Sequence, residues 1–364
     1  MNNGEKSTHY YLGANSGEGF VSHFDELDCL AGLNRKIIIK GGPGTGKSRM
    51  IRRVAEHYES MGKGVEYIHC SSDPDSLDGI IVGELGICIA DGTAPHVLEP
   101  DLPGVRDSIV NTGDFWDEKA LAASADAVTD LKKRIKHEYN SVYRALKGAE
   151  RLKSDNFNIV DAAMKREKLK AYTQRLIRRE IAFSADPAPY YSRRYLSGIT
   201  PLGVLIFWNT VRTLCDRVYV INDEYGIGRY ILEELRTAAV MRRQSVIACL
   251  CPLYEEEAIE HLILPDLKLA FVTSNEYHAF PDEPYKRINM QRFYDGEAVR
   301  ARRNRIRFNK KTAAALIDKS CETLAGIKRM HDKLEGYYTR SMDFAKLEGL
   351  TRSVIDRLDS FVEV

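Results

Sequence analysis

Residues 36–48 read KIIIKGGPGTGKS, and this stretch decides how the first half of the chain is interpreted. The β-branched run at 36–40 is typical of a buried parallel strand. Residues 41–48 match the pattern G-x-x-x-x-G-K-[ST] at every position. The residues that follow, up to Gly62, have the apolar spacing of a helix, with one face formed by Met50, Ile51, Val54 and Tyr58. A strand, a glycine-rich loop and an amphipathic helix in this order predict a phosphate-binding loop.

Each residue type in this loop has a physical role in binding a nucleotide. Glycines let the backbone wrap around a phosphate so that its N–H groups point inward, and the helix N-terminus adds a favourable dipole. Lys47 is expected to reach the β- and γ-phosphates, and the Ser48 hydroxyl is expected to coordinate Mg²⁺. The predicted nucleotide-binding residues are Gly41, Gly42, Pro43, Gly44, Thr45, Gly46, Lys47, Ser48 and Arg49.

Two more strands are predicted, at 65–69 and 86–91, and the second of them ends in Asp91. An apolar strand that ends in an aspartate is the pattern in which the carboxylate holds Mg²⁺, so Asp91 is predicted as a metal ligand beside Ser48. The next residue is Gly92, so the glutamate that many ATPases use as a catalytic base is absent at that position. Other polar residues near the end of the 65–69 strand are candidates for that role or for substrate contact: His69, Asp73, Asp75 and Asp78.

These four candidates do not have equal standing. Asp73 and Asp75 are more simply explained as turn or helix-capping residues. Asp78 and His69 remain catalytic candidates alongside Lys47 and Asp91.

Landmarks of the first half recur in the same order in the second half. LGANSGEG (12–19) and LSGITPLG (196–203) have the same spacing, and FWDE (115–118) is echoed by FYDGE (293–297). Gly226 and Gly228 lie 182 residues after Gly44 and Gly46. The run 268–273 lies at the same distance after the predicted strand 86–91. Agreement in order and spacing over this length predicts an internal duplication.

The second copy lacks the groups that hold a magnesium–nucleotide complex. At the same offset, four residues of the first half have different residues at the equivalent positions of the second half: Asp223 for Gly41, Arg229 for Lys47, Tyr230 for Ser48 and Thr273 for Asp91. We therefore expect a tight strand-to-helix turn without catalysis. Arg229 would either reach the neighbouring nucleotide as an arginine finger or form an ion pair with Asp223 or Glu224. Because His278 persists in this copy, its counterpart His96 is expected to have a structural role.

Each half closes with a charged helical region. In the first half two apolar stripes flank the polar run SDNFN (154–158), which predicts a helical hairpin at about 118–182 with its turn in that run. In the second half the corresponding region spans about 297–364. The predicted fold class is α/β, with two tandem three-layer α/β/α domains at 1–185 and 186–364, each carrying a helical hairpin.

Composition excludes several classes of function. The net charge of +1 indicates no global attraction to nucleic acid or membrane. The basic run RARRNRIRFNKK (300–311) is better explained as a solvated or paired helix face, and nucleic-acid binding is the open alternative. The N-terminal stretch lacks the features of a signal peptide, no apolar run reaches membrane-spanning length, and the scattered cysteines suggest no disulfide framework or zinc spacing. We expect a cytoplasmic protein.

GGPGTGKS resembles the loop of P-loop NTPases, with a form common in AAA-type ATPases and nucleotide kinases. Together with HYYLGANSGEGFVSHFDEL, IHCSSDPDSLDGII, ADGTAPHVLEPDLPG and GDFWDE, it resembles an uncharacterised bacterial family of tandem P-loop ATPases over nearly the whole chain. The resemblance implies ATP as ligand and supplies no further substrate. DEYGIGRY (223–230) departs from the glycine-rich second loop of that family, which indicates a degenerate second site.

Three functions are consistent with these observations. The first is Mg²⁺-dependent ATP hydrolysis in the first half, with the second half as a regulatory or interface repeat and with an unidentified protein partner. The second is a small-molecule or nucleotide kinase that uses the same loop and an acceptor near 69–78. The third is a nucleotide-sensing scaffold with weak nucleic-acid binding through 300–311. ATP is preferred to GTP because no N/T-K-x-D motif for guanine is present.

Overall fold

A computed structural model describes residues 7–186, 188–254 and 258–362. It has an α/β architecture in which each half of the chain forms a mixed six-stranded sheet. The extreme ends of the predicted domains, including the first six residues of the N-terminal stretch, lie outside the described residues. None of the helices in the described part of the chain has the combination of length and apolar character that a bilayer span requires.

The first half contains eight strands and four helices within the described residues. The strands are β1 (Thr8–Tyr10), β2 (Gly13–Ser16), β3 (Gly19–Ser22), β4 (Arg35–Lys40), β5 (Glu66–Cys70), β6 (Asp73–Val82), β7 (Ile87–Asp91) and β8 (Asp107–Asn111). The helices are α1 (Lys47–Ser60), α2 (Glu118–Ala122), α3 (Ala125–Asp161) and α4 (Arg166–Glu180).

The second half repeats this series with one additional helix, α5. Its described strands are β9 (Tyr191–Arg194), β10 (Ser197–Thr200), β11 (Gly203–Ile206), β12 (Arg217–Asn222), β13 (Val246–Leu250), β14 (Ile259–Leu264), β15 (Leu269–Ser274) and β16 (Lys286–Asn289). Its helices are α5 (Trp208–Leu214), α6 (Arg229–Met241), α7 (Gly296–Ala301), α8 (Arg303–Thr339) and α9 (Phe344–Asp359).

The two large sheets have the same strand order. The first runs β1-β5-β6-β7-β4-β8 and the second runs β9-β13-β14-β15-β12-β16. In each sheet one strand, β6 or β14, is antiparallel to both neighbours, and the other pairs are parallel. The three predicted strands of the first half are confirmed to within one residue as β4, β5 and β7. The sequence analysis missed β6, because it assigned the acidic start of that strand to a turn.

Strand register confirms the residue-by-residue alignment of the halves. In the first sheet Ile39 is paired with Asp91, and in the second Ile221 is paired with Thr273. Both pairs are related by the offset of 182 that the sequence landmarks indicate. Asp91 and Thr273 therefore occupy equivalent places beside the two loop strands.

The two sheets share a buried layer between them. Side chains of both sheets, such as Ile38 and Ala90 from the first and Val220 and Cys249 from the second, belong to one apolar cluster. At the junction Tyr11 and Tyr195 exchange two backbone hydrogen bonds, each 2.9 Å long. The halves are thus joined through backbone as well as through side chains.

The helical hairpins are exchanged between the halves. We call α3 with α4 the first arm, and α8 with α9 the second arm. Helix α4 packs against α6 of the second half, and α9 packs against α1 of the first half. Apolar side chains of each arm enter the core of the opposite half: Leu169 and Leu176 join the second core, whereas Leu347, Val354 and Leu358 join the first. The hairpin expected on each domain therefore covers the other one.

The predicted turn at 154–158 is wrong, because α3 continues through this run to Asp161. Its polar residues resemble a turn in sequence, but they are satisfied by α8. Buried Asn156 donates to the Ile306 carbonyl and accepts from Asn309, and Asp155 accepts from both Asn309 and Arg305. The reversal occurs a few residues later, between α3 and α4.

Candidate functional site

The glycine-rich loop (residues 41–48) connects the carboxyl end of β4 to the first turn of α1. Gly44 and Gly46 have φ angles of 68° and 85°. These are left-handed conformations that side chains rarely adopt, so glycine is required at both positions. The loop thus has the sharp path that allows backbone N–H groups to converge at a helix N-terminus.

Lys47 lies over the loop and faces Asp91. Its ammonium group donates to the carbonyl oxygens of Gly41 (3.2 Å) and Gly42 (2.7 Å), and it lies 3.5 Å from Asp91 Oδ2. The other carboxylate oxygen of Asp91 accepts from the backbone and hydroxyl of Thr93. The lysine and the aspartate that the sequence analysis predicted to act together are therefore adjacent.

Ser48 and Arg49 occupy the first turn of α1. The Ser48 hydroxyl accepts a 2.9 Å hydrogen bond from the backbone of Leu77 in β6, so the loop is tied to the strand that carries Asp78. Arg49 is exposed to solvent.

Two threonines hold the loop in shape. Thr45 is buried and donates to the Gly42 carbonyl across the turn. Thr112, in a 3-10 turn after β8, lies 2.9 Å from the Thr45 hydroxyl and 3.1 Å from the Lys40 carbonyl. Sequence analysis did not identify Thr112, because no local pattern distinguishes a threonine that follows an edge strand.

Asp78 lies buried on β6 beside His96. Its Oδ1 is 3.9 Å from His96 Nε2, and the imidazole stacks on Phe24. Among the described residues, neither ring nitrogen of His96 has a hydrogen-bond partner. Burial raises the pKa of Asp78 to about 6; the nearby Asp91 carboxylate acts in the same direction, and the charges of His96 and Lys47 oppose it. Asp78 is therefore a carboxyl group that titrates near neutral pH within the field of Lys47 and Asp91.

His69 is engaged elsewhere. Its two ring nitrogens contact His9 Nδ1 and the Pro74 carbonyl, each at 2.9 Å, and its ring packs against Phe207. Burial lowers its pKa to about 4. None of these contacts involves the glycine-rich loop, so His69 has no role in the chemistry proposed below.

The second loop (residues 223–230) is filled by its own carboxylate. Asp223, at the position equivalent to Gly41, accepts from the backbone N–H groups of Tyr225 (3.0 Å), Gly226 (3.1 Å) and Gly228 (2.5 Å). Gly226 keeps the left-handed φ of its counterpart, at 78°, but Gly228 has a helical φ of −60°. The N–H groups that would hold a phosphate are thus already occupied by a buried anion.

The remaining substituted residues of the second loop contact the first arm. The Arg229 guanidinium lies between the rings of Phe157 and Tyr254, and its Nε donates to the Gly226 carbonyl. The Tyr230 hydroxyl donates to Asp161 at 2.6 Å. Arg229 therefore forms cation–π contacts rather than an ion pair with Asp223 or Glu224. Its contacts with the two rings and with the Gly226 carbonyl all lie at the second loop.

Asp223→Ala is expected to destabilise the protein by about 3 kcal/mol, because it leaves the buried N–H of Gly228 and the part-buried N–H groups of Tyr225 and Gly226 without an acceptor. Asp223→Asn retains one carbonyl oxygen, so a smaller loss is expected. Urea unfolding of the two variants measures both differences. Equal, near-zero losses would show that the carboxylate does not hold the turn.

Three groups in the second half, of which the two histidines are buried, are close enough to suggest a metal site: Glu260, His261 and His278. However, His261 Nδ1 accepts a hydrogen bond from the Thr273 backbone N–H at 3.1 Å. A neutral imidazole must then carry its proton on Nε2, which lies 3.5 Å from Glu260. A protonated Nε2 cannot ligate a metal ion, so this arrangement disfavours coordination by His261, whose Nε2 has no hydrogen-bond partner among the described residues. Glu260 and His278 are the counterparts of Asp78 and His96, so the carboxylate–histidine pair recurs in both halves.

The second arm lies directly on the glycine-rich loop. A Cβ atom at Gly44 would lie 2.7 Å from the Glu335 carbonyl oxygen and 2.8 Å from Thr339 Oγ1, and one at Gly42 would lie 2.7 Å from the Tyr338 ring. These residues are almost 300 positions away from the loop in sequence, so no local signal could have identified them.

The basic run 300–311 starts α8, with two of its charges paired. Arg305 pairs with Asp155, and Lys310 pairs with Glu224 (2.7 Å) and Glu276 (3.2 Å). Ile306 and Asn309 are buried against the first arm, whereas Phe308 is exposed. The run therefore forms part of the contact between the arms.

Comparison with protein-family models, with curated proteins and with solved structures finds no match for this chain.

Proposed function

We propose that the protein is an ATP-binding P-loop NTPase that hydrolyses ATP with Mg²⁺ in its first half, and that its second half is a non-catalytic repeat. The observation that carries this proposal is the contrast between the two loops. Lys47 and Asp91 face each other across a glycine-rich loop in the first half. At the equivalent place in the second half, Asp223 occupies the N–H groups of the turn.

The residues near Lys47 fit a magnesium ion by their chemistry. Asp91 supplies a carboxylate, Ser48 supplies a hydroxyl, and hard oxygen ligands of this kind are those that Mg²⁺ prefers. Mg²⁺ would neutralise phosphate charge when it is bound with the nucleotide. Lys47 would exchange its present carbonyl partners in the loop for phosphate oxygens.

Asp78 supplies the carboxylate that is missing after Asp91. It is buried, lies in the field of Lys47 and Asp91, and has a pKa raised to about 6 by burial. A base that titrates close to the working pH combines the ionised form with a useful driving force for proton transfer. We assign to Asp78 the role of orienting the attacking water and accepting its proton.

A titration of the protein with ATP in the presence of Mg²⁺ tests the proposal. We expect saturable binding and slow release of phosphate without any added acceptor. ADP formation that requires an added metabolite would instead indicate a kinase. Binding without turnover, together with RNA or DNA binding that weakens steeply with salt, would indicate a scaffold. The absence of any nucleotide binding would contradict all three functions.

Asp78→Asn is expected to stabilise the protein at alkaline pH while slowing turnover. The folded pKa of about 6 lies above the ordinary value of 3.8. Stability from this carboxyl is therefore complete below pH 3.8 and is lost as pH rises through 6. Between pH 5 and pH 8 the wild type should lose about 1 kcal/mol relative to the variant.

Urea unfolding of both proteins at the two pH values measures this difference, and phosphate release measures turnover. We expect turnover of the variant to fall by roughly 10²-fold or more. Unchanged turnover would remove Asp78 from the mechanism without affecting the assignment of the loop.

A further inference from the structure

A groove of about 580 Å³ lies beside the glycine-rich loop. The first half contributes one wall, which includes Phe115, Trp116 and Asp117, and the second arm contributes the other, which includes Arg340, Asp343 and Phe344. Its volume falls in the range of small-molecule sites.

Two aromatic rings connect the groove to the loop. The Trp116 ring lies 3.3 Å from the position that a Cβ atom on Gly42 would occupy, and the Phe344 ring lies 3.6 Å from the corresponding position on Gly46. Both rings thus contact the backbone of the loop from the groove side. A ligand with phosphates in the loop would have these rings next to its remaining part.

Backbone pairing holds the two walls of the groove together. The Asp117 N–H donates to the Ser341 carbonyl at 2.8 Å, and the Asp343 N–H donates to the Phe115 carbonyl at 2.9 Å. The groove therefore forms only when the second arm is docked on the first half.

The two aromatic residues that connect the groove to the loop are not repeated at the equivalent positions of the second half. Trp116 pairs with Met342 in a backbone bridge, and the equivalent bridge of the second half pairs Tyr294 with Met164; Tyr294 is buried. Phe344 is the first residue of α9, and the first residue of the equivalent helix α4 is Arg166. Arg166 lies over the Tyr230 ring and pairs with Asp161. By contrast, 36% of Phe344 is exposed. The two aromatic positions of the groove thus accompany the intact loop, whereas the filled loop has a buried tyrosine and an arginine at the equivalent positions.

We propose that this groove binds the base and ribose of the nucleotide whose phosphates occupy the loop, an inference that rests on the proposed function. Aromatic faces bind nucleobases by stacking. Asp114 and Asp117 each use Oδ1 in a local hydrogen bond, and their second oxygens supply acceptors for ribose hydroxyls. Because the second arm forms half of the groove, the non-catalytic half of the chain contributes to nucleotide recognition.

The experiment compares ATP with inorganic tripolyphosphate, both with Mg²⁺, by calorimetric titration. Trp116→Ala and Phe344→Ala are each expected to weaken ATP binding by about 10-fold while leaving tripolyphosphate affinity unchanged. Phe308→Ala, which removes an exposed aromatic ring on the far part of α8, is the matched control and should alter neither affinity. Because 36% of Phe344 is exposed, the Phe344→Ala variant is expected to fold, and it can be measured even if the Trp116→Ala variant does not fold.

Tryptophan fluorescence provides a second readout. In a Trp208→Phe background Trp116 is the sole tryptophan, and its emission should change on addition of ATP but not of tripolyphosphate. Equal affinities of the wild type for the two ligands, or equal losses for both in the aromatic variants, would overturn the groove assignment and leave the loop assignment intact. Failure of both ligands to bind would overturn the proposed function together with this inference.

Discussion

Residues 1–185 and 186–364, when each is produced alone, are expected not to fold as monomers, whereas the two fragments produced together should form a one-to-one complex. The reason is the exchange of arms. The first fragment carries α4, whose apolar face belongs to the core of the second half, and it lacks α9, which covers α1.

The expected effect is large because the exchanged side chains are buried. Leu347, Val354 and Leu358 are each less than 5% exposed. Burying three such side chains contributes roughly 5–9 kcal/mol, which is comparable to the net stability of about 5–15 kcal/mol that folded proteins possess. Polar contacts add to this link, since buried Arg194 of the second half pairs with Glu66 of the first at 2.7 Å.

Circular dichroism and size-exclusion chromatography of the separate and combined fragments measure this expectation. A cooperative unfolding transition for residues 1–185 as a monomer would show that the arm of the other half is dispensable. A self-associated dimer of either fragment would be consistent with the same kind of exchange, in which the arm of a second copy takes the place of the missing arm.

Lys47→Ala is expected to reduce ATP turnover by at least about 10²-fold, because it removes the cation that would stabilise the charge on the transferred phosphate. The fold should survive, because Lys47 contacts two carbonyl oxygens of a partly exposed loop and the carboxylate of Asp91, which keeps its hydrogen bonds from Thr93. Thermal unfolding checks the fold, and phosphate release with Mg²⁺-ATP checks the activity.

Arg229→Ala is the matched control, since it changes the equivalent position of the second loop. Arg229 stacks between Phe157 and Tyr254 at the second loop, so turnover should stay near that of the wild type. A loss of turnover similar to that of the Lys47 variant would mean that Arg229 acts on the nucleotide, and the second half would then not be catalytically inert.

The sequence predicted those elements whose conformation depends on residues that are neighbours in the chain. The loop at 41–48, the strand that ends in Asp91 and the repeated order of landmarks are encoded by neighbouring residues, whose spacing reports backbone conformation directly. The sequence also shows that Asp223 occupies the position equivalent to Gly41, which predicts a carboxylate where phosphate would enter. The structure adds that this carboxylate takes the N–H groups itself.

Prediction failed where side chains are satisfied by distant partners. SDNFN (154–158) has turn composition, yet α8 supplies the partners that keep these residues helical. The acidic start of β6 also has turn composition, yet pairing with β5 and β7 makes it a strand and brings Asp78 to His96. In both places tertiary hydrogen bonds override local preference.

The sequence by itself determined the α/β class, the position of the glycine-rich loop and the substitutions in its copy, because each depends on residues adjacent in the chain. Only the tertiary structure decided which arm covers which half, and which residues wall the groove beside the loop. The groove and the contact of α9 with α1 join residues more than 200 positions apart, such as Trp116 with Met342. Contacts of that kind depend on the packing of whole faces, which no local periodicity specifies.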